Sequence, residues 1–246
     1  MDKIYTRDQL VLMSMCDYSG RLAVADTVGL FMQSAAEATE LLGIGFTAME
    51  EKHFFWLTVR TRCRIHRRPK VLARVTLSTW AHAMQRAACN RYYTLSDDRG
   101  LLAEGKTEWI VFDTDTMAVS TELDEVFYKF PPCEDTVCDG QKARVGRAFA
   151  DNELLGRYTV RSTDIDIGHH MNNVAYIRAI MSLIPTAEQT RLDIREFEIS
   201  YHSPCLEGEE LSIYRRETET GFEAGIFRPD GTLSSTARFW TGNGEG

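Results

Sequence analysis

Twice along this chain a run of helical apolar spacing is followed by four alternating, strand-like segments. That repeated order constrains the fold more than any other feature of the sequence. In the first half, Val28, Phe31, Met32, Ala35, Ala36, Ala38, Thr39 and Leu42 recur at spacings of three and four, the period of one helix face. Asp26 is placed to cap its start, and Gly43 and Gly45 to end it. The small residues Ala35, Ala36 and Ala38 suit a helix that lies close under a flat surface. Strand candidates follow at 54–66, 71–83, 87–96 and 101–112, with Arg67–Lys70 and Asp97–Gly100 as turns. Residues 8–16 are apolar enough for a strand or an extended entry segment. On the 54–66 strand, Trp56, Thr58, Arg60, Arg62 and Arg64 are expected on one face, and Leu57, Val59, Thr61, Cys63 and Ile65 on the other.

The second half repeats the order. A strand at 158–162 precedes a helix at 172–184 that stops before Pro185. Strands are expected at 195–202, 210–217, 222–227 and 232–241, with Pro229-Asp230-Gly231 turning between the last two. Gly100, Leu102 and Trp109 match Gly231, Leu233 and Trp240 at one common offset, and Pro69 and Pro204 end the first sheet strand of each half. Between the halves, Pro131-Pro132 and Asp139-Gly140 break the regularity. The chain therefore reads as α+β, with two tandem domains that each wrap an antiparallel sheet around a helix. The first spans 1–130 and the second 153–246, joined by a linker at 131–152.

Composition removes several function classes. A net charge of -8 argues against general nucleic-acid binding. No apolar run approaches the ~20 residues that span a bilayer, and the stretch from Met1 to Asp8 lacks the apolar core of a signal peptide. The six cysteines are scattered, with no CxxC pair, as reduced thiols of a cytoplasmic protein would be.

The halves differ at the entrance to their helices. The first offers Asp17 through Asp26, without histidine. The second, Thr163 through Tyr176, gathers Asp164, Asp166, His169, His170, Asn172 and Asn173. One half holds groups that move protons or orient a carbonyl, and the other lacks them, so the second is expected to be catalytic and the first to form the pocket. The donor types of Asp164, Asp166, His169 and His170 also suit zinc or iron. Adjacent histidines tend to point apart, however, and the spacing matches no familiar metal motif, so the metal-free reading is preferred.

The pattern Asp164-x-Asp166-x-x-x-His170-x-Asn172-Asn173-x-x-Tyr176 resembles the signature of acyl-ACP thioesterases, enzymes of double hot-dog fold. The resemblance covers nearly the whole chain. It includes Trp56-Leu57-Thr58-Val59-Arg60, Ser78-Thr79-Trp80 and Glu108-Trp109-Ile110-Val111-Phe112 with the following Asp113. It implies hydrolysis of the thioester between a fatty acyl chain and the phosphopantetheine arm of acyl carrier protein, without a cofactor. Asp166 matches the family's essential acid and His170 its essential histidine. Gly168 stands where plant enzymes carry an asparagine, and His169 where they carry glutamine. Cys205 aligns with a cysteine considered as a nucleophile, but Pro204 replaces the acid that precedes it.

Thioester hydrolysis needs an activated water or a covalent nucleophile, and stabilisation of the oxyanion. Asp166 suits the first task, as general base or as nucleophile. His170 suits orienting water, donating to the oxyanion or protonating the departing thiolate. The helix start near Asn172 adds backbone N–H donors. Asn172 is assigned to the chemistry and Asn173 to holding substrate; Asp164 and His169 are read as loop supports and Cys205 as a buried small hydrophobe. Arg60 and Arg64, with Arg62, Arg67, Arg68 and Lys70, form a basic stripe on which the acidic carrier protein is expected to dock. A solvated edge face is the competing reading. Trp56, Phe54, Met13 and Met32 are candidates for the acyl tunnel. A homodimer is compatible with this reading. Hydrolysis of acyl-CoA, non-hydrolytic binding of acyl thioesters, and hydration or dehydration at C2–C3 of the acyl chain stay open as alternatives.

Overall fold

The apolar helical stripe of the first half forms α1, Val24–Leu41, which buries Val24, Ala25, Val28, Leu30, Phe31, Ala35 and Ala38. Its N-cap position is Ala23, with no side-chain cap; Asp26 lies inside the first turn, not before it. The expected Asp26 cap is thus corrected, and the carboxylate instead sits near the positive end of the helix dipole. The computed structural model describes residues 3–120 and 131–242. Chain contacts divide it into two units, Met1–Asp139 and Gly140–Gly246. The ends assigned to the two domains, 130 and 246, lie outside the described residues.

In the first unit, chain order is β1 (Tyr5–Leu10), α1, α2 (Phe46–Glu51), β2 (Phe54–Ile65), β3 (Arg74–Ala81), β4 (Ala88–Asp97), β5 (Gly100–Asp113) and β6 (Ala118–Val119). The sheet runs β1-β3-β4-β5-β2, antiparallel throughout, with β6 paired to the end of β5. α1 packs on β3 and β5. Phe31 of α1 stacks on Tyr93 of β4 with ring centroids 4.9 Å apart. Gly105 on β5 makes that stack fit, since a Cβ there would lie 2.5 Å from Cε2 of Phe31. Replacing Gly105 by alanine is expected to destabilise the protein by about 1–3 kcal/mol, the usual cost of overpacking a filled core. The shift of a urea unfolding midpoint measures it, and an unshifted midpoint would mean that Phe31 has room to move.

The face assignment on β2 needs correction. A β-bulge lies between Thr58 and Arg60. Thr58 is buried before it, and Thr61, Cys63 and Ile65 are buried after it. One extra residue reverses side-chain parity. Thr58 and Trp56 therefore share the inner face with Cys63 and Ile65, while Arg60, Arg62 and Arg64 take the other.

The second unit contains β7 (Leu154–Thr159), α3 (Asn173–Ser182), α4 (Thr186–Gln189), β8 (Ile194–Tyr201), β9 (Glu210–Thr218), β10 (Gly221–Phe227) and β11 (Leu233–Thr241). Its strand order is β7-β9-β10-β11-β8. This is the order of the first unit, strand for strand. The repeated glycines Gly100 and Gly231 sit in equivalent hairpin turns, β4–β5 and β10–β11, both at positive φ (113° and 83°). α3 buries Ala175, Tyr176, Ile177, Ala179 and Ile180, and the sheet contributes a stack of Phe197, Phe239 and Phe222. The strand expected at 158–162 starts earlier, at Leu154, and ends at Thr159. The chain then folds into a short 3-10 turn at Ser162–Asp164, which sets up the candidate site.

Candidate active site

The turn Ser162–Asp164 exists because one carboxylate closes it. Asp164 is buried, and its Oδ2 accepts hydrogen bonds from the Arg161 N–H (2.8 Å) and the Tyr158 hydroxyl (2.9 Å). Burial first, and the Asp164 carboxylate second, push the Tyr158 phenol up to about 12, so it remains a donor at any working pH. The carbonyl of Asp164 in turn accepts from the N–H (2.8 Å) and the Nδ2 (2.7 Å) of Asn172.

Between these anchors the chain makes a tight hairpin. Ile165 bridges Met171, the Asp166 N–H donates to the His170 carbonyl (3.0 Å), and the His169 N–H donates to the Asp166 carbonyl (3.0 Å). His169 adopts φ of 61°. This is a three-residue hairpin loop whose last residue is left-handed, a conformation that histidine visits more readily than most non-glycine residues. Asp166 Oδ1 accepts from the Gly168 N–H at 2.8 Å, an Asx turn that fixes the carboxylate. His170 Nδ1 lies 3.8 Å from the same Oδ1, with the two side chains 26% and 31% exposed. The pair is in ion-pair range but beyond hydrogen-bond length. Asp166 Oδ2 accepts no hydrogen bond among the described residues and can take a proton from a water or a thiol.

α3 begins immediately afterwards. Asn172 is its N-cap, with Oδ1 accepting from the Ala175 N–H at 2.9 Å. Both ends of this amide are thus committed to backbone. That moves Asn172 from the chemical role expected of it to holding the helix start in place. The Asn173 carbonyl accepts from the Tyr201 hydroxyl at 3.1 Å. α3 starts at Asn173, three residues after His170, and the first-turn N–H groups of a helix have no intrahelical acceptor.

Behind the loop, Cys205 is fully buried. Its N–H donates to the Tyr176 hydroxyl (3.1 Å), and its Sγ lies 2.9 Å from Ser234 Oγ. Burial pushes the Cys205 thiol up, away from the thiolate a nucleophile needs. Cys205→Ala is therefore expected to cost about 1 kcal/mol for the lost packing and hydrogen bond, read as a shifted urea unfolding midpoint. In the native protein this thiol is expected to resist iodoacetamide. Rapid labelling of Cys205 in the folded protein would show a thiol more open than its burial implies.

The other residues expected at the site belong to the first unit. The Trp56 indole donates to the Ile44 carbonyl (2.9 Å) and packs against a cluster of Ile44, Met49, Met84 and Val111. Phe54 packs on the same cluster. Met13 is 77% exposed, so it cannot line a buried tunnel. Arg60 and Arg64 face Glu108 (3.8 Å) and Glu104 (3.7 Å) of β5, which offsets the charge of these two members of the stripe. Among the described residues no group of three or more His, Cys, Asp or Glu side chains is placed to hold a metal ion, and no helix is long and apolar enough to cross a membrane. Sequence reasoning missed Tyr158, six residues before its partner Asp164, and Tyr201 and Ser234, whose partners Asn173 and Cys205 lie far along the chain.

The first unit carries the same loop without the dyad. Cys16 bridges Leu22, the Asp17 N–H donates to the Arg21 carbonyl (2.9 Å), the Gly20 N–H donates to the Asp17 carbonyl (2.9 Å), and Gly20 takes the left-handed position. The Leu22 N–H donates to the Pro69 carbonyl there, as the Met171 N–H donates to the Cys205 carbonyl in the second unit. Asp17 is thus the counterpart of Asp166, Arg21 of His170, and Arg68 of Pro204. The difference lies in the carboxylate. Asp17 Oδ2 is held by the Arg68 guanidinium. Burial works against its charge, but bonds from Ser19 and Arg68 outweigh burial and keep its carboxyl below the usual range.

Solved structures place this architecture in a class. An acyl-ACP thioesterase from Bacteroides thetaiotaomicron matches with a TM-score of 0.86 at 21% identity over 98% of both chains. The 12:0-ACP thioesterase of Umbellularia californica matches with a TM-score of 0.84 at 18% identity, over 98% of this chain and 97% of that one. The fold is the double hot-dog. Residues 2–130 match the family model for the acyl-ACP thioesterase N-terminal domain, and residues 149–233 that for the C-terminal domain. The chain belongs to the acyl-ACP thioesterase family. Among curated relatives, oleoyl-acyl carrier protein thioesterase 2 of Arabidopsis thaliana is 21% identical over 89% of this chain. The dodecanoyl-[acyl-carrier-protein] hydrolase of Umbellularia californica is 23% identical over 78%. The chain spans 65% and 53% of the lengths of these two proteins.

Proposed function

We propose that this protein hydrolyses the thioester of fatty acyl–acyl carrier protein, releasing free fatty acid and the carrier's phosphopantetheine thiol, with Asp166 and His170 as catalytic residues. The observation that carries this reading is the contrast between two copies of one loop. In the first unit the aspartate is occupied by an arginine; in the second, Oδ2 of Asp166 is open and a histidine stands beside it. Family membership supports the substrate class.

In the proposed reaction Asp166, fixed by the Gly168 N–H, takes a proton from water as the water oxygen bonds to the acyl carbon. The oxyanion is met by first-turn amides of α3, which Asn172 holds in position. The carbon–sulfur bond then breaks, and the proton taken up by Asp166 passes by way of His170 to the departing thiolate. Asn173 lies at the same helix start and is assigned to substrate contact. Trp56 belongs to the apolar interior of the first unit, where an acyl chain would be accommodated. Arg60 and Arg64 remain candidates for carrier contact, tested by Arg60→Glu with Arg64→Glu.

The decisive test is thiol release from a panel of acyl carrier esters by wild type, Asp166→Ala and His170→Ala. Both variants are expected to lose turnover by at least about a hundredfold. Full activity in both would place the chemistry elsewhere. Tight binding by wild type with no thiol release would make the protein a carrier of acyl thioesters, and faster release from acyl-CoA than from the carrier ester would reassign the substrate.

A further inference from the structure

Where the second unit holds its dyad, the first unit opens onto a basic groove. This groove, of about 930 Å³, is lined by Arg21, Arg67, Arg68, Lys70, Arg74 and Arg99. Asp8, Asp97 and Asp98 are the acids in its wall, so cations outnumber carboxylates six to three on a chain of net charge -8. The cations fall into two sets. Arg67 and Arg68 are built into the wall. Arg67 donates to both oxygens of Asp97 (2.8 and 2.9 Å), Arg68 to Asp17, and Arg21 Nη1 to the Arg68 carbonyl (3.0 Å). Lys70, Arg74 and Arg99 are exposed and make no ion pair with a carboxylate among the described residues. They come from three places: the turn after β2, the first residue of β3, and the β4–β5 turn.

We infer that this groove is the docking surface for the acidic face of the carrier protein; the inference rests on the function proposed above. An acidic partner meets repulsion over most of this chain, so a local excess of cations decides where it lands and steers its approach. Lys70, Arg74 and Arg99 spread around an open groove instead of converging on one point, which suits several carboxylates of a protein surface better than a single phosphate. Charge spent on internal pairing, as at Arg60 and Arg64 facing Glu108 and Glu104, is largely withdrawn from such an encounter. The duplicated loop thus divides the work: one copy keeps its carboxylate for chemistry, and the other clamps it with Arg68 and presents cations.

The test is the triple variant Lys70→Glu, Arg74→Glu, Arg99→Glu, chosen because all three side chains are exposed and hold no part of the core. Hydrolysis is measured on one acyl chain carried by the carrier protein, by CoA and by N-acetylcysteamine, at low and at 0.5 M salt. At low salt kcat/KM on the carrier ester is expected to fall at least about tenfold, through KM, with kcat and the N-acetylcysteamine rate unchanged. The salt dependence seen with wild type is expected to disappear. An unchanged kcat/KM on the carrier ester overturns the docking assignment. So does an equal loss on the CoA ester, which would mean that the groove reads a phosphate. Wild type inactive on all three esters would instead remove the proposed function, an outcome separable from either.

Discussion

Asp166→Asn is expected to lower kcat for thioester hydrolysis by about 10²–10⁴-fold while leaving the thermal unfolding midpoint where it is. The separation rests on what the side chain does in the loop. Its structural task is to accept the Gly168 N–H at Oδ1, and an asparagine oxygen performs that task equally well. What asparagine lacks is charge and basicity at the second oxygen. Alanine would remove both at once, so the amide is the sharper test. His170, 3.8 Å away, keeps its place in either case because its carbonyl is bonded to the residue-166 N–H. A midpoint that fell with the rate would show that the negative charge holds the loop together. A rate that survived would show that Asp166 is a turn residue and nothing more.

Much of this architecture was legible in the sequence because it follows from period and punctuation. α1 and α3 announce themselves by apolar residues three and four apart, and the hairpins by Asp97–Gly100 and Pro229–Gly231. Duplication showed through Gly100 and Gly231 because only a residue at ease with positive φ fits those turns. What was not legible depends on events that leave no periodic trace. The bulge at Thr58 and Arg60 moves Trp56 and Thr58 to the inner face, and no composition signal announces one inserted residue. The cap of α1 was misplaced because Asp26, the capping residue type nearest the apolar run, lies inside the helix, whereas Ala23 caps it with no side-chain bond at all.

The candidate site was legible as a cluster but not as a division of labour. Six polar residues within ten positions look equivalent in sequence. In the structure Asp164 and Asn172 bond to backbone, His169 takes the strained turn position, and Asp166 and His170 are left facing each other. One of the departures from the plant pattern acquires a meaning too, that at Pro204. The N–H of Gly168 fixes Asp166 as that of Ser19 fixes Asp17, a backbone bond that does not depend on glycine. Pro204 occupies the position from which Arg68 reaches Asp17 in the other unit, and a proline offers no cation there. The open carboxylate of Asp166 is therefore a consequence of what stands opposite it as much as of its own loop.

Asp164 should be the residue whose loss couples stability to rate most strongly. Asp164→Ala removes the acceptor of both the Tyr158 hydroxyl and the Arg161 N–H. Each donor left without a partner in a part-buried setting costs about 1–3 kcal/mol, so the pair is expected to cost about 3 kcal/mol in a urea titration. The rate is expected to fall about tenfold in kcat with KM nearly constant, because the residue-164 carbonyl is what holds both nitrogens of Asn172, and through Asn172 the start of α3. Asp164→Asn keeps one acceptor oxygen, and the Tyr158 hydroxyl can turn to accept from the new amide, so it should recover most of both losses. Tyr158→Phe is expected to cost less in the Asp164→Ala background than in wild type, since the bond it removes is already gone. Additive costs would mean that Tyr158 and Asp164 stabilise the loop independently. A loss confined to stability, with kcat untouched in the folded fraction, would mean that the helix start finds its place without Asp164.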